Sequence, residues 1–164
     1  MSVNLPTWIT FSRLLAVPAL LVLLVPVPTP EQRLWAAVLF LVAAATDWLD
    51  GYLARRLGQV TDLGKFLDPL VDKLLVLAPL LMLVELGQIP GWGVFLILAR
   101  ELAVAGWRVN QTQISGANLW GKAKTVVQIV AVVFLILQWP YAVPLFWLAV
   151  ALTWISGAIY LWPR

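Results

Sequence analysis

Thr46-Asp-Trp-Leu-Asp-Gly-Tyr-Leu-Ala-Arg-Arg56 and Gly64-Lys-Phe-Leu-Asp-Pro-Leu-Val-Asp-Lys73 place four carboxylates, Asp47, Asp50, Asp68 and Asp72, on either side of one short gap. Positions three or four apart share a helix face, so Asp47 pairs with Asp50 and Asp68 with Asp72. Long apolar runs flank the gap, from Leu34 to Arg55 before it and from Phe66 to Leu86 after it. The stretch therefore reads as two helices whose adjoining ends carry acid. If the two pairs face one another, four like charges converge at a membrane boundary, which is tolerable only where cations gather them.

The rest of the chain extends the same pattern. Of 164 residues, 62% are hydrophobic and 12% charged, against roughly 25% charged in an ordinary soluble domain. Further apolar runs cover Ile9 to Val25, Trp92 to Val109, Leu119 to Gln138 and Pro144 to Trp162. The breaks between runs hold turn formers: Pro26, Pro28 and Pro30, then Gly87 to Gly91, then Pro140 to Pro144. At about 20 residues per span, six spans consume about 120 residues and leave no room for a second domain. The expectation is an all-α integral membrane protein of six transmembrane helices, one membrane-embedded domain over residues 1–164. No basic segment precedes the first run, and Arg13 interrupts it, so the first helix reads as a retained span and not a cleaved signal.

Six spans put both termini on one side. Arg13, Arg55, Arg56, Lys65, Lys73, Arg100, Arg108, Lys122, Lys124 and Arg164 then fall towards that side and Arg33 alone towards the other. The positive-inside rule makes the rich side cytosolic, giving a multi-pass protein of the inner (plasma) membrane with the Asp-bearing loop and both termini in the cytosol. The net charge of +3 is scattered among apolar runs, so an anionic lipid surface is the expected counterpart, and nucleic acid is not. Trp8, Trp35, Trp92, Trp139 and Trp162 lie near helix ends, where indole rings favour the headgroup layer.

With no Cys and no His, the chain has no thiolate or imidazole to offer as base, nucleophile or ligand. Oxygen-only donors suit two hard ions such as Mg²⁺ or Mn²⁺. For a single Asp, the bland alternative is a solvated helix-end residue paired with Arg55, Arg56, Lys65 or Lys73. Four acids at paired spacing on an apolar bundle favour function. Gly51, Ala54 and Gly64 fall beside the acids, where small side chains serve either helix packing or close approach of a ligand.

Asp47-x2-Asp50-Gly51-x2-Ala54-Arg55-x8-Gly64-x3-Asp68-x3-Asp72 resembles the full motif of the CDP-alcohol phosphotransferases, with every fixed position present. That resemblance implies a six-helix membrane enzyme, a homodimer, with two divalent ions at the cytosolic end. It implies that Asp47, Asp50 and Asp68 are metal ligands and that Asp72 accepts the proton and also touches the second ion. It further implies that Gly51, Arg55 and Thr61 contact the CDP-lipid, with Thr7, Trp8, Ile9 and Thr10 ahead of the first span. Chemically, the ions and Arg55 would bind the donor's pyrophosphate, and a carboxylate would take the proton of the attacking alcohol. Neighbouring carboxylates favour a proton on Asp72 and bound metals oppose it.

The acceptor must be read from other residues. Arg100 and Arg108 stand eight apart in the fourth run, about 12 Å along a helix and within a quadrant of rotation. Lys122 and Lys124 open the fifth run. Glu101 alone is not expected to neutralise both arginines, and such a cluster suits a phosphate on the acceptor. Snorkelling is the alternative, and it fits Lys122 and Lys124 better than Arg100. Asn4-Leu-Pro-Thr-Trp-Ile-Thr-Phe-Ser-Arg-Leu14, Ala99-Arg-Glu101 and Trp120-Gly-Lys-Ala-Lys-Thr-Val-Val-Gln128 resemble the phosphatidylglycerophosphate synthase branch of the family. That branch implies CDP-diacylglycerol as donor and sn-glycerol 3-phosphate as acceptor. Branches using inositol phosphate, serine or phosphatidylglycerol are the alternatives within the family. An ion carrier is the alternative outside it, disfavoured because the acids cluster at one end and mark no continuous path.

Overall fold

The computed structural model describes the backbone of residues 5–25, 27–57, 62–109 and 119–161, and the side chains of residues 13–25, 27–46, 70–107 and 120–159. Each apolar run is a helix: α1 (Leu5–Leu24), α2 (Pro30–Leu57), α3 (Asp62–Glu85), α4 (Gly91–Val109), α5 (Leu119–Ile136) and α6 (Ala142–Leu161), with no strand among the described residues. The expected all-helical class and the order of elements hold. α2 is longer than its apolar run. Its 28 residues extend about 42 Å, beyond the roughly 30 Å of a bilayer's hydrocarbon core.

Local chemistry explains where the helices start and stop. Thr29 and Gln32 form a capping box at the start of α2: the Gln32 amide donates to Thr29 Oγ1 at 3.2 Å, and the Thr29 amide donates to Gln32 Oε1 at 2.8 Å. Pro30 occupies the first helical position, where its missing N–H costs nothing. α3 ends in a Schellman turn, with the Gln88 amide donating to Leu83 O and the Gly87 amide to Val84 O, both at 3.0 Å. Gly87 takes the left-handed conformation that this turn requires, φ +70°. The end of α5 repeats the turn without a glycine: Trp139 N–H bonds Phe134 O, and Gln138 sits at φ 54°, which costs about 1–2 kcal/mol.

The chain divides into two compact units, Met1–Met82 and Leu83–Arg164. In the first, α1 packs on α2. Its buried stripe runs Arg13, Ala16, Leu20 and Leu24 along α1 and Arg33, Ala36, Ala37, Phe40 and Ala43 along α2. That is the 3–4 spacing of one helix face, and the alanines let the backbones approach closely. In the second unit α6 packs on both α4 and α5. Phe146, Ala149, Val150, Thr153 and Ser156 of α6 are buried, as are Val94, Ile97, Arg100 and Val104 of α4 and Lys124, Gln128, Ala131, Val132 and Leu135 of α5.

In both units large apolar side chains face outward, among them Leu15, Val22, Val42, Trp92, Phe95 and Leu148, while Arg13, Arg100, Lys124, Gln128, Thr153 and Ser156 are buried. A water-soluble fold distributes these residues the other way. Among the described residues, Ala142–Ile159 is the one stretch both long and apolar enough to cross a membrane by composition, and the apolar segment Arg13–Leu24 is shorter. The buried charges of α4 and α5 interrupt their apolar runs.

Candidate active site

Asp47 and Asp50 lie one turn apart in the last third of α2, and Asp68 and Asp72 one turn apart in the first half of α3. The backbone therefore keeps the helical register that the motif requires, on ends joined through residues 58–61. Of the four acids, Asp72 has a described side chain, and it is 43% exposed. Arg13 of α1 reaches it from 59 positions away: Nη1 donates to Asp72 Oδ1 at 2.7 Å, from a side chain only 1% exposed. A charge-assisted bond from a buried, packed arginine fixes where that carboxylate points. Among the described residues no three acids converge, and the side chains of Asp47, Asp50 and Asp68 lie outside them.

The same limit applies to the residues expected at the CDP-lipid. Thr7, Trp8, Ile9 and Thr10 occupy the first two turns of α1, and Gly51 and Arg55 the C-terminal part of α2, with side chains outside the described residues; Thr61 lies outside them altogether. The acid donors fit a hard divalent ion. They are carboxylate oxygens at one-turn spacing on two consecutive helices, with no soft donor in the chain to favour another metal.

A second polar cluster lies within the other unit. Arg100 sits at the midpoint of α4, about 14 Å from either helix end, and is 7% exposed. Its Nη1 donates to Glu101 Oε1 at 3.1 Å and its Nη2 to Ser156 Oγ of α6 at 2.7 Å. Lys124 of α5 donates to the same Glu101 oxygen. Gln128 Nε2 donates to Thr153 Oγ1 at 2.9 Å, and Ser156 Oγ donates to the Thr153 carbonyl at 3.1 Å. Three helices thus hold two cations and one carboxylate in a hydrogen-bonded group inside an apolar exterior. Removing one member of a buried charge group costs about 3–5 kcal/mol, because the others are left uncompensated.

The structure sorts the four residues expected at the acceptor. Arg100 and Lys124 come together about Glu101; Lys122 is exposed; Arg108 is in the last turn of α4 with its side chain outside the described residues. Snorkelling fails for Lys124, whose ammonium turns inward. Glu101 serves two cations, and the second is Lys124.

The family-model description that matches residues 3–155 is CDP-alcohol phosphatidyltransferase. This chain belongs to the CDP-alcohol phosphatidyltransferase family. Three curated relatives carry the name CDP-diacylglycerol--glycerol-3-phosphate 3-phosphatidyltransferase. The Bacillus subtilis protein is 41% identical across 96% of this chain and 93% of its own. The Pseudomonas fluorescens protein is 39% identical across 97% and 85%, and the Escherichia coli K12 protein 35% identical across 99% and 91%. The family match takes in both Asp pairs, Arg13, Arg100, Glu101 and Lys124, and ends one residue short of Ser156.

Sequence reasoning treated Arg13 as an interruption of an apolar run and passed over Thr153, Ser156 and Gly157. A signal for each was present. An arginine inside a span demands a partner, and hydroxyl and glycine positions 153, 156 and 157 fall on one face of an otherwise apolar helix.

Proposed function

We propose that this family member is a multi-pass membrane enzyme that transfers the phosphatidyl group of CDP-diacylglycerol to sn-glycerol 3-phosphate, giving phosphatidylglycerol phosphate and CMP. The donor and acceptor are those in the names of relatives that align along nearly the whole chain. The observation that carries the acceptor is the burial of Arg100 and Lys124 side by side in a bundle whose outside is apolar. Two cations so deep are retained at a cost that an anionic ligand explains.

Asp47, Asp50, Asp68 and Asp72 would hold two divalent ions, Mg²⁺ or Mn²⁺, which when bound neutralise the donor's pyrophosphate and improve CMP as a leaving group. Arg55 adds a cation to the same diphosphate, and Thr7, Trp8, Ile9, Thr10, Gly51 and Thr61 seat the CDP-lipid. Arg100, Arg108, Lys122 and Lys124 take the acceptor's phosphate. The acceptor's hydroxyl oxygen bonds to the β-phosphorus as the bond from that phosphorus to the CMP oxygen breaks. Its proton passes to Asp72, and CMP departs with the electron pair. Arg13 keeps the Asp72 carboxylate aimed while this happens.

The reading includes six spans, one membrane-embedded catalytic domain and a homodimer, with the site and both termini in the cytosol of an inner-membrane protein. The outward apolar residues of both units support burial in lipid, and the basic asymmetry supports the orientation. The test is product analysis with purified protein in detergent. CMP release should require sn-glycerol 3-phosphate together with CDP-diacylglycerol, and the lipid product should have the mass of phosphatidylglycerol phosphate. Faster turnover with serine or inositol phosphate, or no CMP release with any alcohol, would refute it.

A further inference from the structure

Ser156 and Gly157 lie just beyond the segment that the family model matches, yet they are the α6 residues that touch Arg100. Ser156 is 1% exposed. Its one hydroxyl proton goes to the Thr153 carbonyl, so a lone pair is left to face the guanidinium, which bonds it through Nη2. Thr153 is itself held, donating to the Ala149 carbonyl at 2.6 Å and accepting from Gln128 of α5. The hydroxyl is therefore a fixed acceptor on a braced helix.

Gly157 acts by the atom it lacks. A Cβ there would stand 2.9 Å from Arg100 Nε and 3.1 Å from its Cγ, closer than packed atoms tolerate. The atoms in the way belong to the buried middle of a side chain whose far end is already tied to Glu101 and Ser156, so yielding means moving the guanidinium. Among the described residues Arg100 Nε has no hydrogen-bond partner, so Gly157 borders that donor with open space and not with a bond.

We propose that Ser156 and Gly157 are positioning residues for the acceptor site: Ser156 aims the Arg100 guanidinium, and Gly157 leaves the room in which its side chain lies against α6. The inference rests on the assignment of Arg100 to the acceptor's phosphate. A guanidinium binds a phosphate through a planar fork, so its direction matters more than that of an ammonium. Displacement of such a group by about 1 Å costs on the order of 100-fold.

The experiment is steady-state kinetics of the purified enzyme, varying sn-glycerol 3-phosphate and CDP-diacylglycerol separately, for Ser156→Ala, Gly157→Ala, Arg100→Ala and the two double variants. Ser156→Ala and Gly157→Ala should each raise the KM for sn-glycerol 3-phosphate about tenfold or more while moving that for CDP-diacylglycerol less than about twofold. The unchanged donor KM reports an intact fold. In the Arg100→Ala background neither change should add to the acceptor KM, because the side chain they position is gone and a Cβ at 157 has room. Unchanged acceptor KM in both single variants, or equal losses with and without Arg100, would overturn the positioning role and leave the acceptor assignment standing. An Arg100→Ala enzyme with unaltered acceptor KM would overturn both.

Discussion

Replacing Arg13 by Met deletes a guanidinium while keeping much of the apolar stem that fills the buried stripe of α1. The lost contact is the 2.7 Å bond to Asp72 Oδ1. Asp72 is 43% exposed, so water replaces part of that interaction and the carboxylate is not stranded in an apolar interior. The loss falls on orientation. A hydrogen bond to a charged group contributes about 1.5–3 kcal/mol. If that bond holds the base in its working position, turnover falls about 10- to 150-fold, at about 1.4 kcal/mol per factor of ten. The KM for CDP-diacylglycerol and for sn-glycerol 3-phosphate should move little, because the contact acts on the proton acceptor and not on either ligand. Arg13→Lys should fall between parent and Met, since an ammonium keeps the charge and loses the fork. The assay is CMP release at saturating substrates, with thermal stability in detergent measured on the same preparations. A folded Arg13→Met enzyme with turnover within about twofold of the parent would refute the claim that Arg13 aims Asp72.

Three further outcomes follow from the proposed chemistry. Asp72→Asn should abolish turnover and leave CDP-lipid binding largely intact, as measured by retention of the donor, because it removes a proton acceptor and keeps size and polarity; substantial residual turnover would take the base role from Asp72. Exhaustive chelation should stop CMP release and Mg²⁺ or Mn²⁺ should restore it, since the acid donors are hard oxygens; full activity after chelation would contradict the Asp assignment. The chain has no native Cys, so Gln59→Cys and Gln88→Cys each introduce a single label. In intact cells an impermeant thiol reagent should modify the one at 88 and spare the one at 59, and the reverse pattern would invert the topology.

Which segments are helices was readable from the chain alone. A span in lipid must satisfy its own backbone, so it needs a long apolar run, and the turns need Pro, Gly or a cap between runs. The Gly87 turn and the Thr29–Gln32 cap are local devices of this kind. The Asp motif was readable for the same reason: its spacing of three and four along consecutive helices is local geometry. The partners of the buried cations were not. Arg13 and Asp72 are 59 positions apart, Arg100 and Ser156 are 56, and Lys124 and Glu101 are 23. No periodicity links such pairs.

Lys122 and Lys124 show what the fold added. Two residues turn a helix by about 200°, so the sequence requires the two lysines to face nearly opposite ways without saying which faces in. The packing of α5 on α6 decides it, burying Lys124 on the stripe with Gln128 and leaving Lys122 exposed. Helix formation depends on neighbours along the chain, whereas the inward face of each helix depends on the surface it meets, and that surface exists only once the bundle has formed.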